Sequence, residues 1–106
     1  MTPARGELWW CETEHAGRRP CVVLTRDTAI ARLGYVLVAL ATTNIRGLAS
    51  EVVLEPGDDP VGGRCALNLD TAEVVPIALL TQRIGRLADD RMRDVCDALA
   101  AAVDCR

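Results

Sequence analysis

A chain of 106 residues, half of them hydrophobic, can build one modest core, so one domain spanning 1–106 is expected. A net charge of −3 excludes a general electrostatic binder of nucleic acid, which would be basic. The N-terminus, with Pro3, Arg5 and Glu7, has no apolar signal segment, and the longest apolar run, Tyr35 to Ala41, is too short to span a bilayer. A cytoplasmic protein without a membrane partner follows.

Aromatic residues are limited to Trp9, Trp10 and Tyr35, so Val, Leu, Ile and Ala must fill the core. All twelve basic residues are arginine, which fits the Ala-rich, Phe-free composition of a genome biased against lysine codons. Any site for RNA in so acidic a chain has to be a local arginine cluster. The five cysteines (Cys11, Cys21, Cys65, Cys96, Cys105) contain no C-x-x-C pair, and His15 is the only histidine. No metal site and no cofactor are expected; the thiols read as small buried hydrophobes, with Cys105 the exposed one.

Along the chain, Glu7 to Glu12 reads as a strand opened by Gly6, with Trp9 and Trp10 facing opposite sides. Arg19 to Thr25 reads as a second, with Val22, Val23 and Leu24 continuous enough for burial on both faces. Asp27 to Leu33 is a turn or short helical excursion ended by Gly34, and Tyr35 to Thr42 is a third, central strand. Glu51 to Glu55 is a fourth, closed by the turn Pro56-Gly57-Asp58-Asp59-Pro60. Arg64 to Leu69 and Glu73 to Val75 are the fifth and sixth, and Pro76 to Leu80 forms a brief helical turn. The chain ends in a helix, with Asp89 or Asp90 as cap and Met92, Val95, Cys96, Leu99 and Val103 on one face. Short strands, Gly/Pro turns and one late amphipathic helix predict a mainly β protein: a small curved antiparallel barrel with the helix packed on it.

The opening Gly6-Glu7-Leu8-Trp9-Trp10, followed by Glu14-His15-Ala16-Gly17-Arg18-Arg19-Pro20, resembles the start of the MazF/PemK family of toxin endoribonucleases. Val38 to Ile45, Glu51-Val52-Val53-Leu54, Leu69-Asp70-Thr71 and Ile84-Gly85-Arg86-Leu87 extend the resemblance in order over nearly the whole chain. It implies an SH3-like β-barrel of the MazF/CcdB/Kid type with a C-terminal α-helix, pairing as a homodimer. It also implies a type II toxin with a cognate MazE-like antitoxin, whose acidic tail fills the RNA groove. The activity implied is sequence-selective, metal-independent cleavage of single-stranded RNA by 2′-hydroxyl attack, giving 2′,3′-cyclic phosphate and 5′-hydroxyl ends. Two departures stand out: the first loop is shorter than is common in the family, and Glu73 follows Asp70-Thr71 where the family often has a basic residue.

On this resemblance Arg19 is the first catalytic candidate, because a permanently charged, bidentate guanidinium stabilises charge growing on phosphate oxygens. The alternative is a strand-flanking arginine paired with Glu14 on the surface. Thr42 matches the family's catalytic threonine, a neutral donor to a phosphate oxygen, and Thr43 replaces it if the register is off by one. Glu14 is placed as general base or as the group that orients Arg19. Glu12, His15, Arg18 and Trp10 complete the substrate-binding candidates, Trp10 by stacking on a base. Rival functions are a non-catalytic CcdB-like toxin that inhibits a protein such as DNA gyrase through its terminal helix, and a plain binding barrel.

Overall fold

In a computed structural model, which describes residues 2–105, seven strands, two α-helices and two 3-10 turns follow one another along the chain. The strands are β1 (Glu7–Thr13), β2 (Gly17–Val23), β3 (Tyr35–Thr42), β4 (Glu51–Leu54), β5 (Cys65–Asn68), β6 (Glu73–Pro76) and β7 (Leu80–Arg86). The helices are α1 (Asp27–Leu33) and α2 (Asp89–Val103), and the 3-10 turns are Leu69–Thr71 and Ile77–Leu79. The sheet runs in the order β4-β5-β3-β2-β1-β7, and β6 adds to β3. Every pairing is antiparallel. The expected mainly β, barrel-like architecture with a C-terminal helix is what the chain adopts.

The third strand is central, as the sequence implies. One edge of β3 pairs β2, with Cys21 opposite Leu40 and Val23 opposite Val38. The other edge pairs β6 from Tyr35 to Val38 and then β5 at Ala41 and Thr42, so the sheet splits along β3 and curls.

Both faces of this sheet are buried. Leu8, Val22, Ala39 and Ala41 point into a core shared with Leu54 and Leu67 and covered by Met92, Val95 and Ala98 of α2. Their strand neighbours Trp9, Cys11, Cys21, Val23, Val38 and Leu40 point the other way, into a second core closed by Ile30 and Val75. The period of two along each strand therefore feeds two cores, and the run Val22–Val23 is apolar because each residue enters a different one. Trp9 is buried and Trp10 half-buried on the opposite face, as expected.

Several boundaries differ from the sequence reading. The first hairpin is tighter: β1 continues to Thr13 and β2 begins at Gly17, leaving Glu14-His15-Ala16 as the loop. Gly17 takes φ +69°, the left-handed position that closes a hairpin of this length, and the Ala16 amide donates to Thr13 Oγ1. The second strand ends at Val23, although the Leu24 amide still donates to the Leu37 carbonyl.

The seventh strand, Leu80–Arg86, is not announced by the sequence pattern. Its polar sequence Leu-Thr-Gln-Arg-Ile-Gly-Arg lacks clean alternation, because its register against β1 shifts twice. On α2, Ala88 is the cap residue and makes no side-chain bond; Asp90 instead accepts from the Arg91 amide. The buried face of α2 is Met92, Val95 and Ala98, while Cys96 and Val103 are exposed. The helix lies on β4 and the Leu69–Thr71 turn, which rotates its contact line away from Cys96. Among the cysteines, Cys11, Cys21 and Cys65 are buried; Cys96 joins Cys105 on the surface.

Two polar clusters fix the frame. Glu7 Oε1 accepts from the Ala4 amide (2.7 Å) and from the indole N–H of buried Trp9 (3.1 Å), and Glu7 Oε2 accepts from Arg83 Nε at 2.6 Å. Burial pushes the Glu7 carboxyl up, but Arg83 and these donors together outweigh it and hold it below its ordinary value. Asp59, whose side chain is only 2% exposed, accepts from Arg91 Nε (3.0 Å), from an Arg91 terminal nitrogen (3.2 Å) and from the Glu55 amide (2.9 Å). The same turn packs against β7, where a Cβ added to Gly85 would sit 2.7 Å from Pro60 Cβ.

Removing Arg91 leaves a buried carboxylate without its cation. Arg91→Ala is expected to lower the unfolding free energy by about 3 kcal/mol, measured by urea denaturation. A loss below about 1 kcal/mol would reduce the pair to an ordinary surface bridge. Because the folded Glu7 carboxyl titrates below the unfolded value of 4.5, its contribution to stability is complete above that pH and fades as pH falls through the folded value. Glu7→Gln should therefore lower Tm at neutral pH, and the gap should close on acidification. A gap that is constant with pH would contradict the assignment.

Candidate active site

Two antiparallel neighbours deliver the central pair of residues. Arg19 lies opposite Cys11 near the start of β2, and Thr42 is the last residue of β3, opposite Ala66. Both line a concavity of about 500 Å³, together with His15, Asn44, Arg46, Asn68 and Glu73. Arg19 is exposed, and among the described residues it takes part in no ion pair. The surface pair with Glu14, the alternative to a catalytic role, is not among its contacts. A cation without a carboxylate partner is available to an incoming anion.

Thr42 is half-buried, and its Oγ1 accepts from the Asn44 amide at 3.1 Å. That bond orients the hydroxyl and leaves its proton free to donate. Thr43, one residue beyond the strand, is exposed and does not line this concavity. The loop that follows is held by Glu51, which accepts from the Arg46 amide (3.1 Å) and the Leu48 amide (3.1 Å). Arg46 lines the same concavity as Arg19.

The same concavity carries an unexpected pair. His15 Nε2 lies 3.0 Å from Glu73 Oε2, linking the first hairpin loop to β6. That contact ties the three-residue loop Glu14-His15-Ala16 to the sheet.

A second concavity, of about 370 Å³ and mostly apolar, adjoins the first and is also lined by Arg19 and Thr42. Trp10, Pro20, Thr43, Val61 and Ile84 are among its other walls. The Arg18 guanidinium lies 4.1 Å from the Trp10 ring centroid and donates to Gln82 Oε1 at 3.2 Å. Glu12 and Glu14 are exposed and line neither concavity.

Of the residues chosen from sequence, Arg19, Thr42 and His15 meet in the polar concavity, and Trp10 and Thr43 in the apolar one. Arg46, Asn68 and Glu73 were not chosen as site residues and belong to the polar wall. Arg46 had a usable signal, four residues past Thr42 in the same turn. Asn68 had none, since only the β3–β5 pairing brings it close.

Of the buried thiols, Cys65 lines the apolar concavity, whereas Cys11 and Cys21 line neither. Cys11 and Cys21 share one core, and the hydrogen bond between them, with burial, pushes the Cys21 thiol far up. Both behave as packing residues. Among the described residues there is no group of three or more His, Cys, Asp or Glu side chains placed to hold a metal ion, and no helix long and apolar enough to cross a membrane.

Comparison with known proteins identifies the family. Residues 4–103 match the family described as PemK-like, MazF-like toxin of type II toxin–antitoxin system. A probable endoribonuclease MazF5 of Mycobacterium tuberculosis is 65% identical over 103 residues, covering 97% of this chain and 94% of that protein. A probable endoribonuclease MazF2 from the same species is 39% identical, covering 95% and 98%. Among solved structures, the Mycobacterium tuberculosis toxin MazF-mt6 superposes with a TM-score of 0.85 at 26% identity, covering 94% of this chain and 98% of that one. A mycobacterial endoribonuclease in complex with its cognate antitoxin shares the fold with a TM-score of 0.87 at 24% identity, covering 98% and 97%. The chain belongs to the PemK-like, MazF-like toxins of type II toxin–antitoxin systems.

Proposed function

We propose that this protein is a one-domain cytoplasmic toxin that cuts single-stranded RNA without a metal ion, and that Arg19 and Thr42 carry the reaction. The observation that carries this reading is the convergence of an unpaired guanidinium and an oriented hydroxyl, from adjacent strands, on one open concavity. The endoribonuclease names of its relatives support RNA cleavage as the activity.

The 2′-hydroxyl of the substrate attacks the adjacent phosphorus, and the bond to the 5′-oxygen of the next nucleotide breaks. Negative charge grows on the non-bridging oxygens during that attack. Arg19 stabilises it with fixed positive charge, and Thr42 adds a neutral hydrogen bond. The products are a 2′,3′-cyclic phosphate and a 5′-hydroxyl. For proton transfer the concavity offers the His15–Glu73 pair, while Glu14 faces solvent on the adjacent position of the loop. Arg46, Asn44 and Asn68 supply donors and acceptors that can read a base beside the cut. Selectivity for sequence resides there.

The partners follow from the family. The protein acts as a homodimer, and a MazE-like antitoxin with an acidic segment competes with RNA for the arginines. A mycobacterial relative of the same fold is solved with its cognate antitoxin. The gyrase-inhibitor alternative would place function on the terminal helix, where the concavity beside β4 is lined by Arg91, already paired with Asp59 and Asp94.

Arg19→Ala is expected to reduce kcat at least about 100-fold while shifting RNA Kd much less, because its charge is matched to the transition state. Thr42→Ala should cost about tenfold, the worth of one neutral hydrogen bond. Thr43→Ala, outside the polar concavity, should cost less than either. Single-turnover kinetics on a labelled oligonucleotide measures all three. A folded Arg19→Ala protein that cuts at the wild-type rate would overturn the assignment.

A further inference from the structure

Attack by a 2′-hydroxyl needs a group that takes the proton this hydroxyl gives up, and neither Arg19 nor Thr42 is one. A guanidinium keeps its proton in proteins, which sets aside Arg19 and Arg46, and a threonine hydroxyl is no base near neutral pH. Asn44, Asn68 and Thr71 are neutral. Of the side chains that line the polar concavity, His15 and Glu73 are left, and they touch each other. We propose, resting on the RNA-cleavage reading given above, that His15 is the general base for the 2′-hydroxyl. Glu73 is then the positioning residue that fixes its tautomer.

The ladder registers bring this pair to Arg19 and Thr42. Along β3, Val38, Leu40 and Thr42 share one face, because side chains alternate with a period of two. Glu73 in β6 is the cross-strand partner of Val38, and Cys21 in β2 is that of Leu40. Cross-strand partners project to the same face, and Arg19, two residues before Cys21, joins them. Three strands thus deliver Arg19, Thr42 and Glu73 to one surface, where Leu40 lines the same concavity. His15 enters from the β1–β2 hairpin, whose loop of three residues is closed by Gly17 and by the bond from the Ala16 amide to Thr13 Oγ1. So short a loop holds the imidazole close to the strands that carry the other groups.

The contact itself selects the base form. His15 Nε2 lies 3.0 Å from Glu73 Oε2. A carboxylate can only accept, so Nε2 carries the hydrogen and Nδ1 of the neutral ring keeps a free lone pair. Glu73 also compensates the positive charge that grows on the ring as it takes up a proton, the role of the carboxylate in a catalytic triad. Nδ1 takes the proton of the 2′-oxygen as that oxygen bonds to phosphorus. The bond from phosphorus to the 5′-oxygen breaks, and the leaving oxygen takes a proton from water. The imidazolium then returns its proton to the solvent, so the cycle neither gains nor loses one. The His15 side chain is 63% exposed, which leaves it open to both substrate and water.

The charged groups on the elements around His15 are Glu73 of β6, Glu14 of its own loop, Arg19 of β2 and Arg46 of the β3–β4 loop. None of these but Glu73 is bonded to the imidazole. Glu14, its chain neighbour, lines neither concavity, so the carboxylate one residue away does not compete for the role.

The test uses the full-length protein, a labelled oligonucleotide with the cut site mapped for the wild type, and single-turnover rates from about pH 5 to about pH 9. The wild-type rate should fall about tenfold per pH unit at the acid end, because only neutral imidazole accepts a proton. His15→Gln, which keeps a donor for Glu73, should lower the plateau about 100-fold and abolish that acid limb while RNA Kd changes little. Glu73→Gln should lower the plateau about tenfold and keep the limb. Added imidazole should restore cleavage by His15→Ala at least about tenfold. A substrate with sulfur at the 5′-bridging position leaves without protonation, and the His15→Gln deficit should persist on it. A limb kept in His15→Gln and lost in Glu73→Gln would make the carboxylate the base, and a deficit that vanishes on the sulfur substrate would make His15 the acid. Either result overturns the assignment, as does a His15→Gln protein that cuts at the wild-type rate. A wild-type protein that cuts no RNA at all would instead overturn the parent reading, so the two failures are distinct.

Discussion

The structure depends on one strand serving two sheets. Tyr35–Thr42 is hydrogen-bonded to β2 along one edge, and to β6 and then β5 along the other. Because backbone donors and acceptors must be paired when buried, its length and register fix where all three neighbours can lie. Its side chains alternate between two cores, so a slip of one residue would exchange Ala39 and Ala41 with Val38 and Leu40. That exchange would put large residues under α2 and small ones under α1. The register is thereby locked, and with it the position of Thr42 beside Arg19.

The site is a product of where this strand ends. Where regular pairing with β2 stops, after Leu40 opposite Cys21, the strands diverge and leave room for two concavities. Neither concavity needs a long loop to form it. The first hairpin is closed by only Glu14-His15-Ala16 and is pinned by His15 to Glu73, and the Pro56–Pro60 turn is pinned by Asp59 to Arg91. Rigid walls suit chemistry whose main requirement is charge held in place before the substrate binds. In an acidic protein the cations left without a carboxylate matter most: among the described residues Arg19 takes part in no ion pair, while Glu7, Asp59 and Glu55 hold Arg83, Arg91 and Arg64.

Much of this was legible in the sequence, and for physical reasons. The continuous apolar run at Val22–Val23 declared burial on both faces, and Pro56-Gly57 declared its turn. The order of short motifs from Gly6-Glu7-Leu8-Trp9-Trp10 to Ile84-Gly85-Arg86-Leu87 declared the family. What stayed hidden was set by tertiary pairing. The last strand escaped notice because two register shifts against β1 erase its alternation. Cys96 and Val103 fit the helical period but miss the line along which α2 meets β4. Arg19 and Thr42 could be chosen from motif and chemistry, whereas Asn68, Arg46 and Glu73 come from three separate segments that no spacing connects.

The central claim is that charge and hydrogen bonds supplied by Arg19 and Thr42, rather than by a bound metal, drive scission at the substrate's own 2′-hydroxyl. End-group analysis of RNA cut by purified protein in excess EDTA tests it most directly. The account predicts undiminished cutting, with 2′,3′-cyclic phosphate on one fragment and a 5′-hydroxyl on the other, and no cutting of a substrate bearing a single 2′-deoxy residue before the cleaved phosphate. Cleavage that EDTA abolishes, or that yields 5′-phosphate ends from the deoxy-substituted substrate, would contradict it.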